Sequence, residues 1–506
     1  MNKDDRDFFS DIFEENKLGK RYKAFVLGKW IFGREEEQIF SPIDTNTIGT
    51  IPKLTYDDIE PYIKELYESG KWKIRNTPGY KRIEYLEKMA KLIEEHREDF
   101  IESLMIGAGK TRDQAAGEVN ASINRLKSAM LDLRKVYGEY IPGDWDQTTL
   151  ESESLVRKEP YGIVLAISPF NYPLFDTVAK FTYSVVAGNA VIIKPPTQVP
   201  VPSLMFARIA EVSGFPKESL MVLTVPGSEM EKVVSDPRIG VISLTGSSET
   251  GKKVLKAGGI KRYIMELGGG DPAIVLDDAD IDEASRLIST GIYSYAGQRC
   301  DAIKMIIAHH SVKDELKKKI VENLAKVKVG DPRDPNTTMG PLISKKAVEE
   351  MMKGIQDAVE KGGKILYGGR RLNGNYVEPT LIEITDKSKL NSLLLYKEEV
   401  FAPVAIIFNY ANEDEAVMLA NNRKYGLDAS IFAKDINRIR KIIRYLEYGA
   451  IYINDIPRHG IGYYPYGGRK ESGIGRESIA YSIEEVMAIK AIVYNYRGRR
   501  IFEYLI

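Results

Sequence analysis

The 506-residue chain has one cysteine, Cys300, and four histidines. A single thiol excludes an internal disulfide and fits a reducing compartment. The histidines show no metal-ligand spacing, so no metal centre is expected. Net charge is missing too, since 72 Lys and Arg balance 72 Asp and Glu. The protein therefore has no overall field to attract nucleic acid or an anionic membrane. No stretch reaches the roughly 18 apolar residues of a membrane helix. The charged start, Met1 to Asp7, lacks an apolar signal core. These absences predict a cytoplasmic protein without nucleic-acid or membrane partners. Internal repeats and low-complexity linkers are also missing.

What is present reads as a large enzyme. The length exceeds one hydrophobic core, and 43% hydrophobic with 28% charged residues is ordinary for a globular protein. The first 55 residues alternate as short strands at Tyr22–Phe32, Ile39–Ile43 and Thr47–Ile51. Helical periodicity follows at 57–68, 80–95 and 99–105, and one long helix is expected over 112–137. Gly109-Lys110-Thr111 resembles half a phosphate loop. A full loop needs glycine at 104, where leucine stands, so a helix end and turn are expected. Leu150–Glu159 alternates polar residues like an arm or edge strand. From Tyr161 on, buried strands alternate with helices, the strands at 162–167, 190–194, 221–225, 241–244 and 262–266. That alternation predicts βαβ units and a parallel, doubly wound sheet. A second α/β block follows, with strands at 273–276, 304–308, 404–410, 429–432 and 450–454. Terminal strands at Met487–Tyr496 and Ile501–Ile506 are expected to join 150–159 in a small sheet.

Ligands of doubly wound sheets bind beyond the carboxyl ends of the strands. The first strand ends in Ser168-Pro169-Phe170-Asn171-Tyr172-Pro173, where two prolines stiffen a side-chain amide that either simply closes the turn or donates to an oxyanion. The second ends in Lys194-Pro195-Pro196-Thr197, suited to a nucleotide ribose or phosphate. The fourth ends in Thr245-Gly246-Ser247 and opens a helix, whose free amides suit phosphate. The fifth ends in Glu266-Leu267-Gly268-Gly269-Gly270, a carboxylate with room to move and suited to a general base. Cys300 lies in Ala-Gly-Gln-Arg-Cys-Asp-Ala. A lone cysteine is commonly a small buried hydrophobe. Its polar neighbours favour a reactive thiol, with Arg299 placed to stabilise a thiolate.

Seven motifs resemble, in order, those of the aldehyde dehydrogenase superfamily. They are Pro-Phe-Asn-Tyr-Pro (169–173), Lys-Pro-Pro-Thr (194–197), Thr-Gly-Ser-x-x-x-Gly (245–251), Glu-Leu-Gly-Gly (266–269), Gly-Gln-x-Cys (297–300), Glu-Glu-Val-Phe-x-Pro (398–403) and Lys-x-Ser-Gly-x-Gly-Arg-Glu (470–477). Ala402 departs from the family's usual glycine, with some turn strain expected. The resemblance implies an α/β fold of two doubly wound domains plus a small β oligomerisation arm. Residues 1–143 and 161–267 would bind cofactor, 268–480 would be catalytic, and 144–160 with 481–506 would form the arm. It implies Cys300 as nucleophile, Asn171 as oxyanion donor and Glu266 as base. Lys194, Thr197, Gly246, Ser247, Glu399 and Phe401 would bind the cofactor. Thr197 stands where NAD-preferring members often carry Glu, so NADP is expected, with NAD also admitted. Arm contacts imply a homodimer or homotetramer.

Arginines shape the substrate expectation. Arg125, Tyr172, Arg299 and Arg458 resemble the pocket of non-phosphorylating glyceraldehyde-3-phosphate dehydrogenases. Guanidinium grips phosphate through a bidentate fork. His459 is a further candidate contact. Glyceraldehyde 3-phosphate is the expected substrate. A carboxylated aldehyde such as succinic semialdehyde is the alternative within the class, and a non-catalytic binding protein on the same fold is the alternative outside it.

Overall fold

The computed structural model describes residues 8–16, 19–458 and 464–498. His459 and the strand expected at 501–506 lie outside the described residues.

Two large sheets position the chemistry. In space the first runs Gly473–Ile474, Arg262–Glu266, Val241–Thr245, Ile163–Ile167, Ala190–Lys194, Leu220–Val222, Ala24–Val26 and Lys29–Ile31. The five strands from Arg262–Glu266 to Leu220–Val222 are parallel. Their short apolar runs are buried because helices cover both faces of such a sheet. Ile163–Ile167 pairs with Ala190–Lys194 on one side and Val241–Thr245 on the other. The winding direction reverses there, and the crevice at such a switch point receives ligand. The second sheet runs Lys364–Tyr367, Thr380–Glu383, Val404–Tyr410, Ile303–His309, Asp271–Val275, Asp428–Phe432 and Ala450–Ile453. Only its Lys364–Tyr367 edge is antiparallel.

Local sequence sets the boundaries near the crevice. Gly109 takes φ +68° and stops the helix Arg97–Ala108, so Gly-Lys-Thr is a helix end and turn. Pro173 opens the helix Pro173–Ala187, where its missing N–H costs nothing. The helix expected over 112–137 is instead two, Arg112–Lys127 and Ala129–Leu133. The break at Ser128 turns Asp132 back toward Arg125.

A three-stranded sheet orders Met487–Asn495, Ser152–Pro160 and Glu139–Pro142. The polar strand expected as an arm or edge is its centre, paired along both sides. Glu139–Pro142 belongs to this sheet although the sequence reading set it before residue 144. Similarly, Gly473–Ile474 pairs with the first sheet although it falls inside the 268–480 segment.

Candidate active site

The loop carrying Asn171 is pinned by a buried carboxylate. Asn171 is 4% exposed at the carboxyl end of Ile163–Ile167. The following helix has free N–H groups in its first turn. The buried Glu118 carboxylate accepts from Leu174 N at 2.9 Å and Phe175 N at 3.0 Å. The residues just after Asn171 are thereby fixed by a charge-assisted cap.

The cysteine loop is strained and held at several points. After the helix Ile281–Tyr293, Tyr295 (φ +49°) and Ala296 (φ +51°) adopt the left-handed region ahead of Gly297 (φ +65°). Such residues persist only where surroundings enforce them. Tyr295 OH donates to Ala108 O at 2.8 Å, and Ile343 N donates to Gln298 Oε1 at 2.7 Å. Lys304 Nζ donates to Gly297 O at 2.9 Å and Ala402 O at 2.5 Å. Burial brings the Lys304 pKa down to about 7. Ala402 has no positive φ, so the strain expected there is absent.

Cys300 Sγ lies 2.9 Å from the Tyr466 hydroxyl. Burial pushes the thiol pKa up, Asp301 adds to this, and the Tyr466 hydrogen bond opposes it. Arg299 is not directed at the thiol. It pairs with Asp301 at 3.0 and 2.9 Å and also donates to Pro457 O at 2.8 Å. Asp301, two residues on, supplies a counter-charge, while the Arg299 guanidinium also interacts electrostatically with Cys300.

Glu266 ends the strand Arg262–Glu266 and is 2% exposed. Both carboxylate oxygens lack a hydrogen-bond partner among the described residues. Gly467, at φ +146°, packs against this carboxylate, and a Cβ there would sit 2.8 Å from Oε1. Burial raises the Glu266 pKa well above the carboxylate range, and Glu477 raises it further. Glu477 accepts from Lys180 Nζ at 2.6 Å and from Tyr183 OH at 3.0 Å. Sequence reasoning assigned no role to Lys180, Glu477 or Tyr466, although Glu477 closes the 470–477 motif. Their partners are distant in the chain, and no local spacing signals the contact.

The residues expected to hold a dinucleotide surround the crevice. Lys194, at the end of Ala190–Lys194, has its pKa lowered by burial to about 8. Thr197 is half-buried three residues on. A Cβ on Gly246 would meet only the Leu244 side chain, at 3.5 Å, and Ser247 caps the helix Ser248–Gly258 by accepting from Thr250 N at 3.2 Å. Glu399 Oε1 accepts from Gly269 N at 3.0 Å, and Phe401 packs edge-on to Phe170 at 5.7 Å. A Cβ on Gly268 would meet Glu399 Oε2 at 2.6 Å, so the glycines keep that carboxylate close to the Glu266 strand. An exposed hydroxyl at a helix N-terminus, a lysine and a carboxylate suit phosphate and ribose.

A cavity of about 550 Å³ opens beside this centre. Arg125, Tyr183, Arg458, Tyr464, Tyr466 and Glu477 are among its walls. Of the four substrate-binding candidates, Arg125 and Arg458 line it, while Tyr172 and Arg299 do not. Tyr172 nevertheless sits within electrostatic reach of Cys300, Arg299 and Asp301. Arg125 Nη2 pairs with Asp132 Oδ2 at 2.6 Å, and among the described residues Nη1 has no acceptor. Arg458, half exposed, pairs with Asp455 at 2.9 Å.

The arrangement matches known proteins along nearly its whole length. The model of the aldehyde dehydrogenase family matches residues 30–492. The chain is 35% identical over 474 residues to a lactaldehyde dehydrogenase of Methanocaldococcus jannaschii, covering 93% of this chain and 99% of the relative. It is 32% identical over 480 residues to an NADP-dependent glyceraldehyde-3-phosphate dehydrogenase of Streptococcus equinus, covering 94% and 99%. The crystal structure of a glyceraldehyde-3-phosphate dehydrogenase from Methanocaldococcus jannaschii complexed with NADP superposes with a TM-score of 0.85 at 34% identity, covering 91% of this chain and 100% of that one.

Proposed function

The chain belongs to the aldehyde dehydrogenase family, and from that premise we propose that it oxidises glyceraldehyde 3-phosphate to 3-phosphoglycerate without incorporating phosphate. Cys300 as thiolate adds to the aldehyde carbon. The Asn171 amide and the Cys300 backbone N–H donate to the oxygen as it becomes anionic. NADP, with NAD admitted, supplies the hydride acceptor when held by Lys194, Thr197, Gly246, Ser247, Glu399 and Phe401. The acyl group then remains on Sγ as a thioester, so one hard step becomes two easier ones. Glu266 takes a proton from water, the water oxygen adds to the thioester carbon, and the acid leaves as thiolate is restored.

One observation carries the substrate assignment. Arg125 is 5% exposed and lines the cavity beside Tyr466; Asp132 pairs with its Nη2 at 2.6 Å, and among the described residues Nη1 has no acceptor. A buried N–H donor left without an acceptor is costly unless a ligand supplies one. Arg458 on the same cavity adds a second fork. Arg299 holds the Pro457 carbonyl and thus fixes the backbone that presents Arg458, with Tyr172 beside it. A second reading is lactaldehyde, which shares the 2-hydroxyaldehyde but lacks the anion. The acids Asp132 and Asp455, each beside one cavity arginine, favour it.

The assay is reduction of NADP+ with glyceraldehyde 3-phosphate, lactaldehyde and succinic semialdehyde in turn. Faster turnover of either of the last two overturns the assignment. Arg458→Ala should raise KM for glyceraldehyde 3-phosphate about tenfold and leave KM for lactaldehyde within about twofold. Hydrogen bonds to charged groups contribute about 1.5–3 kcal/mol, and half-exposure puts Arg458 at the low end. A uniform KM change would instead mean a general effect on the loop.

The arm is assigned to contact with a second copy. Ile489 and Val493 on Met487–Asn495 are 74% and 65% exposed, and apolar strand faces of this kind favour pairing. Light scattering should give a dimer or tetramer mass, and a monomer mass overturns the assignment. Among the described residues no helix is long and apolar enough to cross a membrane, and a cytoplasmic setting is proposed from the single free thiol.

A further inference from the structure

We infer that Lys110 is a positioning residue that sets the oxyanion loop against the cysteine loop through one buried ammonium group. The inference rests on the family's thiol chemistry and on no particular aldehyde.

Lys110 is 1% exposed, an unusual setting for a lysine. Its Nζ lies 2.5 Å from Glu118 Oε2, and the other oxygen of that carboxylate caps Leu174 and Phe175. The same Nζ sits 4.0 Å from the Tyr172 ring centre and 4.6 Å from that of Tyr295. Tyr172 adjoins Asn171. Tyr295 is the first left-handed residue of the cysteine loop, and its hydroxyl returns to Ala108 O at 2.8 Å, two residues before Lys110. One cation therefore touches a ring from each loop and the carboxylate that caps the helix after Asn171. Ring faces attract cations and hold them at a defined point. An apolar residue would fill the space without fixing these three groups to one centre. Misplacement of reacting groups by about 1 Å costs on the order of 100-fold in rate, so the ammonium is placed to govern the distance from the Asn171 amide to the acyl group on Sγ.

Two probes separate positioning from mere support. In p-nitrophenyl acetate, Sγ attacks the acetyl carbonyl and p-nitrophenolate leaves, a step that needs the oxyanion donor but neither nucleotide nor a matching aldehyde. In iodoacetamide, an Sγ–C bond forms and iodide leaves, with no oxyanion. With one cysteine in the chain, a single mass increment reports Cys300 alone. In Lys110→Met, acylation should fall at least tenfold while alkylation stays within twofold, and Lys110→Arg should restore acylation to within about fivefold of the parent. Lys110→Met with Glu118→Gln removes both charges and is read the same way, in case the single change leaves a buried carboxylate that unfolds the chain. Acylation falling less than tenfold overturns the inference. So does a parallel loss of acylation and alkylation, absence of rescue by arginine, or failure of both methionine variants to fold. Because neither probe uses aldehyde or nucleotide, failure of the proposed substrate leaves this result untouched.

Discussion

Glu266→Gln is expected to complete one hydride transfer per subunit and then stall. In the proposed mechanism, acylation of Cys300 draws on the thiolate and the oxyanion donors, and glutamine alters neither. Thioester hydrolysis needs a base for water, a role worth about 10²- to 10⁴-fold. Rapid mixing with NADP+ and aldehyde should show a burst near one equivalent of reduced nucleotide, followed by a steady rate lower by about that factor. A variant that cycles at the parent rate, or that loses the burst, removes Glu266 as base. Burial, then Glu477, raises the Glu266 pKa, so hydrolysis in the parent should speed up as pH rises through a range above that of ordinary carboxylates. Glutamine should flatten that limb. Stability follows the opposite course. The folded state binds the Glu266 proton more tightly than the unfolded state, so its stabilising contribution is complete below the unfolded pKa. It is lost as pH rises through the folded pKa. The Tm of Glu266→Gln should therefore exceed the parent's by more at pH 8 than at pH 4.

What was legible in the chain had local causes. Asn171, Lys194, Ser247 and Glu266 each lie at or just after the end of a short apolar run, and a doubly wound sheet sets those positions along the carboxyl ends of its strands. The Gly-Lys-Thr turn was equally readable, since Gly109 ends its helix. The lysine within it was not. Lys110 acts through Glu118, Tyr172 and Tyr295, and nothing in the turn indicates that the ammonium points inward. Lys180 and Glu477, 297 residues apart, escaped for the same reason. The sequence places Arg299 beside Cys300, but its pairing with Asp301 and its hold on Pro457 O depend on tertiary geometry that adjacency does not reveal. The helix expected across Ser128 overran because periodicity persists to Tyr137. A tertiary pair, Arg125 with Asp132, accompanies the turn there.

Asn171→Ala should produce the complementary defect, a slow burst. The alkoxide formed at the first addition needs a donor already aimed at it, because a rigid dipole is not reorganised during the reaction. Asn171 meets that condition. It is 4% exposed, Pro169 and Pro173 flank it, and the Glu118 cap anchors the helix two residues later. Loss of one such donor typically costs about 10²- to 10³-fold in kcat, or about 3–4 kcal/mol. The burst rate of Asn171→Ala should fall by that factor, with nucleotide affinity unchanged because Lys194, Ser247 and Glu399 are untouched. The remaining backbone N–H of Cys300 accounts for the residual rate. Asn171→Asp should be slower still, since a carboxylate facing the alkoxide adds repulsion between like charges. The two variants separate the half-reactions, because Glu266→Gln keeps the burst and loses the steady state, whereas Asn171→Ala slows the burst itself. A burst in Asn171→Ala within threefold of the parent would falsify the oxyanion assignment and leave the Cys300 backbone N–H as the sole donor.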